Sequence, residues 1–356
     1  MQEKIIKTIE NIQPLDFELM RKARERLDLL TKPKGSLGRL EDFASQMVGI
    51  SGNLFPPIDR KVILVMAGDH GVAGEGVSAY PQIVTFQMVN NFIRGGAAIN
   101  VLARHIGAEV IVVDMGVAQD FPALEKGIII KKIAKGTRNM AKGPAMSRNE
   151  AEQSIFAGIE VFENEFKKKK IDIIGLGEMG IANTTASSAI VACLTSSPVE
   201  EVTGSGTGIG QNQWAKKIKI IKQAIRVNSP DPGDPLDVLS KLGGFEIGGL
   251  VGCILAAASH HVPVVIDGFI SGASALIAIK LAPKVRDYLF ASHNSQEKGH
   301  QITLKQMGKV SMLDLSLRLG EGTGAALGIN LIEAAIKILK EMATFAEAGV
   351  DKISSE

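Results

Sequence analysis

Four short aliphatic runs, separated by helix-patterned sequence, constrain the fold of this chain more than any other feature. They are Val62-Ile-Leu-Val-Met-Ala-Gly-Asp-His-Gly71, Val110-Ile-Val-Val-Asp-Met-Gly116, Ile171-Asp-Ile-Ile-Gly-Leu-Gly177 and Val262-Pro-Val-Val-Ile-Asp-Gly268. Each is nearly continuous Val/Ile/Leu with no polar alternation, the pattern of a strand buried on both faces, and each ends in glycine with polar residues. The expected fold is therefore α/β, a doubly wound, mostly parallel, Rossmann-like sheet, with ligands held beyond the carboxyl ends of the strands. A large domain over residues 60–300 and a smaller helical domain, built from 1–59 together with 301–356, is the expected organisation. Helical spacing is read at Ile5, Ile6, Ile9 and Ile12, over Asp16–Leu30, from Leu40 toward Ile50, over Arg148–Lys170 and over 325–348.

Composition removes several classes of function. Lys plus Arg is 40 against 38 Asp plus Glu, which supports no polyanion-binding surface. Aromatic residues are 4% of the chain, too few for a stacking platform, so no nucleic-acid partner is expected. The apolar stretch Ile247–Ser259 is too short and glycine-rich to span a membrane, and the amphipathic N-terminus lacks the apolar core of a signal peptide. Cys193 and Cys253 sit among small apolar residues and read as buried free thiols. A cytoplasmic protein without a membrane partner is expected. The lysines at 167–170 read as a solvated helix end.

Glu321 is the leading candidate for chemistry. It lies between Gly320 and Gly322 in the largely apolar run Leu313–Leu327, where flanking glycines free the backbone and apolar neighbours raise a carboxyl pKa toward that of a general base. The alternative is a Glu that only complements a helix dipole. Gly175-Leu-Gly-Glu-Met-Gly-Ile-Ala-Asn-Thr-Thr185 follows a strand and suits an anion at a helix N-terminus, with Asn183, Thr184 and Thr185 as caps and hydroxyl donors, or is simply a tight turn. Thr203-Gly-Ser-Gly-Thr-Gly-Ile-Gly210 is a second glycine-dense loop that matches neither the dinucleotide fingerprint nor the P-loop. Asp69 and His70 could orient a substrate or bind metal, but no full ligand set accompanies them. His260 and His261 are expected to point to opposite faces, and His293 and His300 are too far apart for a single-turn metal pair. Neither a metal nor a cofactor is expected.

Taken in order, these stretches resemble the nicotinate-nucleotide:dimethylbenzimidazole phosphoribosyltransferase family. The resemblance is carried by Lys32–Glu41, Gly68–Gly71, Gly76–Pro81, Gly95–Asn100, Gly177–Gly180 with Asn183–Thr185, and Thr203–Gly208. Asp267–Gly272, Ser292-His293 with Gly299-His300, and Arg318–Gly324 complete it. It implies phosphoribosyl transfer from nicotinate mononucleotide to a benzimidazole, a step in making the lower-ligand nucleotide of cobalamin, with Glu321 as catalytic base and inversion at C1′. Because the donor has no pyrophosphate, and the chain lacks the adjacent acidic pair of pyrophosphate-using transferases, no magnesium requirement is expected. It also implies a homodimer with small-molecule substrates. Glu178, Lys217 and Asp267 match positions near the nucleotide, and Gly180, Asn183, Thr184, Gly204, Gly206 and Ser295 are phosphate-cradle candidates. Lys217 would meet the phosphate or the nicotinate carboxylate, although beside Lys216 and Lys219 it also reads as part of a solvated helix start. Tyr80, Gln82, Met88 and Met179 would line the base pocket. A transferase for a purine or phenolic acceptor, or a non-catalytic nucleotide-binding protein, are the alternatives.

Overall fold

A computed structural model describes residues 1–122 and 127–351. Its sheet has six parallel strands: β1 (Lys61–Gly68), β2 (Ala108–Gly116), β3 (Ile128–Ile130), β4 (Ile173–Met179), β5 (Val264–Ile266) and β6 (Leu289–Ala291), in the order β3-β2-β1-β4-β5-β6. The four sequence-marked runs are β1, β2, β4 and β5. The two edge strands, β3 and β6, are only three residues each, and neither was marked as a strand in the sequence. All eight residues of β1 are buried, as its central place requires. The chain builds outward from β1 to β3, then returns to the other side of β1 with β4. Loops leaving β1 and β4 therefore diverge, opening a crevice at the strand ends.

Between β4 and β5 the chain inserts helices Asn183–Thr195, Gln211–Asn228, Pro235–Leu242 and Phe245–Ser259, and the loop 203–210 leading into the second of these becomes a wall of the crevice. Helix Phe245–Ser259 is buried almost along its length and packs on helix Arg148–Lys168. Glycines make that close crossing possible: a Cβ on Gly158 would run into the Gly249 carbonyl, and one on Gly252 into that of Ile155. No helix among the described residues is long and apolar enough to cross a membrane. Lysines 167–170 are exposed.

The terminal segments meet. Helices Phe17–Leu29, Arg39–Ser51 and Thr323–Glu341 pack on one another, and Leu30 bridges Thr344. Helix Glu3–Glu10 instead lies against Phe245–Ser259 and Arg148–Lys168. The expected single helix over 325–348 is two: it stops at Glu341, Met342 turns extended, and Thr344 caps a new turn, Phe345–Ala348, in a reciprocal box with Glu347. Cys253 is buried and Cys193 half-buried, both free.

Candidate active site

A cavity of about 520 Å³ opens at the carboxyl ends of the strands, a volume suited to a small ligand. Its wall includes Tyr80, Met88, Glu178, Met179, Gly180, Asn183, Thr184, Gly206, Ser295 and Glu321 of the residues marked in the sequence. Gln82, Gly204, Lys217 and Asp267 do not line it. Tyr80 is half-exposed at the rim, while Met88 and Met179 are partly buried.

Glu321 reaches the cavity from a backbone of unusual shape. Gly320, Glu321 and Gly322 all have left-handed φ, 86°, 63° and 94°, and only the middle residue carries a Cβ that such a conformation disfavours. The segment lies across β4, and two of that strand's glycines explain how. A Cβ on Gly175 would press on Ile63 and Ala325, and one on Gly177 would strike the Glu321 carbonyl. These two glycines therefore seat the Glu321 segment, a close-packing role rather than the presentation of N–H groups to an anion. Glu321 is 5% exposed, and its Oε2 has no hydrogen-bond partner. Burial raises its pKa, opposed by the Ile99 backbone N–H.

A second carboxyl stands beside it. Glu178, next to last in β4, accepts a hydrogen bond from the Asn183 amide and sits where a side chain on Gly320 would be. Burial, with the nearby Asp267, Glu246 and Glu321 charges, pushes Glu178 up to about 8, with Asn183 pulling the other way. The native state thus keeps a proton that the unfolded chain releases above the ordinary value of 4.5. The stability this confers is complete below that value and is lost as pH rises through about 8. Glu178→Gln cannot ionise, so its melting temperature should fall less than the wild type's between roughly pH 6 and pH 9. Parallel melting curves for the two proteins across that range would contradict the assignment.

The helix after β4 starts differently from expectation. Its cap is Ala182, left-handed at φ 77°, and Asn183, Thr184 and Thr185 form the first turn. Asn183 turns to Glu178, while Thr184 accepts a hydrogen bond from Lys217 at 2.8 Å. Lys217 is wholly buried although Lys216 and Lys219 on the same helix are exposed, so it is no part of a solvated helix start. Burial lowers its pKa to about 8, with Glu297 opposing. Lys217 lies just behind the wall: a Cβ on Gly206 would come within 3.1 Å of its ammonium and 2.8 Å of the Thr184 hydroxyl. Gly206, at φ 54°, donates its N–H to Glu297 at 2.8 Å, and a side chain on Gly204 would collide with the same carboxylate.

Glu297, which no sequence motif marked, and His293, marked in the sequence but given no role there, also line the cavity. Both lie on the irregular chain that precedes helix Lys298–Met307, where side-chain direction follows no helix or strand period. His293 and His300 are in fact close, their rings stacked with centroids 6.0 Å apart, and His300 Nε2 pairs with the His293 carbonyl at 3.0 Å. Burial lowers the pKa of both. His70 and Asp69 are buried behind Gly180. His70 Nε2 meets Glu246 at 2.6 Å, and Asp69 accepts the Ala118 N–H at 2.8 Å. Burial works against charge on His70, but Glu246 and Asp69 outweigh it and raise its pKa. Among the described residues no group of three or more His, Cys, Asp or Glu side chains is placed to hold a metal ion.

A doubly wound sheet, a nucleotide-sized cavity at its switch point and a buried carboxyl entering that cavity define a nucleotide-handling enzyme of the α/β class. The family model described as phosphoribosyltransferase matches residues 12–350. The chain is 57% identical over 350 residues to the nicotinate-nucleotide–dimethylbenzimidazole phosphoribosyltransferase of Desulforudis audaxviator, covering 98% of this chain and 99% of that protein. It is also 57% identical over 348 residues to the Geobacter metallireducens protein of the same name, covering 98% of each. The crystal structure of CobT from Thermus thermophilus superposes with a TM-score of 0.90 at 44% identity, over 94% of this chain and 100% of that one. The chain belongs to the nicotinate-nucleotide–dimethylbenzimidazole phosphoribosyltransferase family.

Proposed function

We propose that this protein transfers the phosphoribosyl group of nicotinate mononucleotide to 5,6-dimethylbenzimidazole, giving α-ribazole 5′-phosphate and nicotinate. The observation that carries the reading is the Glu321 carboxyl, buried, unpartnered at Oε2 and facing the cavity from a left-handed backbone. In the reaction, one nitrogen of the acceptor ring forms a bond to C1′ as the bond from C1′ to the nicotinate nitrogen breaks. That electron pair returns to the pyridinium ring, which leaves neutral at nitrogen. The acceptor's second nitrogen gives its proton to Glu321. Attack opposite the leaving group converts a β-nucleotide into an α-product.

The remaining wall residues fit this division of labour. Tyr80, Met88 and Met179 offer apolar surface to a flat ring. In this reading Glu178 and Asn183 meet ribose hydroxyls, while the hydroxyls of Thr184 and Ser295 serve the phosphate, with the Lys217 charge behind Thr184. The biosynthetic setting is assembly of the cobalamin lower-ligand nucleotide, in the cytoplasm, by a homodimer.

The configuration of the product tests the route. Proton NMR of the ribotide should show only the α-anomer. A β-product would require two displacements at C1′ and would remove direct attack by the acceptor.

A further inference from the structure

The Asp267 carboxylate leaves β5 and, instead of lining the cavity, ends among the backbone N–H groups that follow Glu321. Its Oδ2 accepts from Gly322 at 3.1 Å, and its Oδ1 from Gly324 at 2.6 Å and Ala325 at 3.1 Å. One buried side chain, 2% exposed, therefore ties the residue immediately after Glu321 to the first turn of helix Thr323–Glu341. The tie holds a conformation that the local sequence does not favour by itself, since Glu321 has a Cβ and a φ of 63°. The segment is also gripped from the other side, where Gly177 admits the Glu321 carbonyl. His293 crowds the same point, its Nε2 being 3.6 Å from Asp267 Oδ1.

We infer that Asp267 is a positioning residue for the reaction: by bonding the N–H groups of Gly322, Gly324 and Ala325 it fixes the left-handed turn that aims the Glu321 carboxyl into the cavity. The inference rests on the proposed role of Glu321 as base, and it assigns Asp267 to the catalytic step rather than to holding the nucleotide. Asp267→Asn keeps the shape and one acceptor oxygen but gives up the second acceptor, loosening one side of the tie. A misplacement on the order of 1 Å is enough to cost about 10²-fold in rate.

The test compares wild type, Asp267→Asn, Glu321→Gln and the double variant. Nicotinate mononucleotide affinity is read by titration, the single-turnover rate with 5,6-dimethylbenzimidazole at saturation, and the fold by thermal melting. Asp267→Asn should slow the step about 10²-fold in the wild-type background. Nucleotide affinity should stay within about threefold, and no further loss should appear when Glu321 is already Gln. An equal loss in both backgrounds, a loss confined to nucleotide affinity, or no loss at all would overturn the inference. Should Asp267→Asn not fold, Asp267→Ser, which retains a hydroxyl acceptor, enters the same comparison. Full turnover by Glu321→Gln alone would instead count against the base assignment, whatever Asp267→Asn does.

Discussion

Glu321→Gln should bind both substrates and lose about 10²–10⁴-fold in turnover, the range a positioned general base contributes. The amide has nearly the carboxylate's shape and keeps an oxygen to accept the Ile99 N–H, while Oε2 has no hydrogen-bond partner to lose. Packing and ligand contacts are therefore conserved while proton acceptance is removed. Because burial raises the Glu321 pKa, the wild-type rate should fall as pH drops through a value above the ordinary 4.5, and that limb should vanish in the variant. Steady-state rates across pH, with nucleotide affinity measured alongside, check both statements. Near-normal turnover would take Glu321 out of the base role, and a loss seen only in affinity would make it a binding residue.

Lys217→Met should weaken nicotinate mononucleotide binding by about 10- to 100-fold, since a hydrogen bond or close pairing to a charged group contributes on the order of 1.5–3 kcal/mol. Methionine fills the buried volume without the charge. The wild-type lysine has a second, pH-dependent signature. Its pKa lies at about 8, so it is charged at neutrality and loses that charge above this value. Nucleotide affinity should consequently decline more steeply as pH rises through about 8 in the wild type than in Lys217→Met, where only Glu178 ionises in that range. Isothermal titration at several pH values reads this directly. Equal affinities, or identical pH trends, would leave Lys217 a core residue that only supports Thr184.

Why some of this was legible in the sequence and some was not follows from the range of the interactions. β1, β2, β4 and β5 announce themselves because a strand buried on both faces must be apolar throughout, a local property. β3 and β6 are three-residue edges whose pairing partners, and for β6 the packing of Phe290 on Phe43, are distant in sequence. Glu321 stood out because two glycines flank a carboxylate in apolar surroundings. The reason for Gly175 and Gly177 could not be read, because what fills their missing side-chain space is Ile63 and Val65 of β1 and residues 321–329, all distant in sequence. Lys217 looked like one of three equivalent lysines, and only the packing of helix Gln211–Asn228 against helix Asn183–Thr195 turns it inward. Asp267 shows the same limit: its three N–H partners are 55 to 58 positions away. His293 and Glu297 lie on irregular chain, where side-chain direction follows no period.

The most direct test of the account is to incubate the pure protein with nicotinate mononucleotide and 5,6-dimethylbenzimidazole in metal-free buffer, following nicotinate and α-ribazole 5′-phosphate together. Both should appear, one for one, with turnover that depends on Glu321. Nucleotide binding without either product would contradict the proposed reaction, and would point to a different acceptor or to a nucleotide-binding protein that does not catalyse.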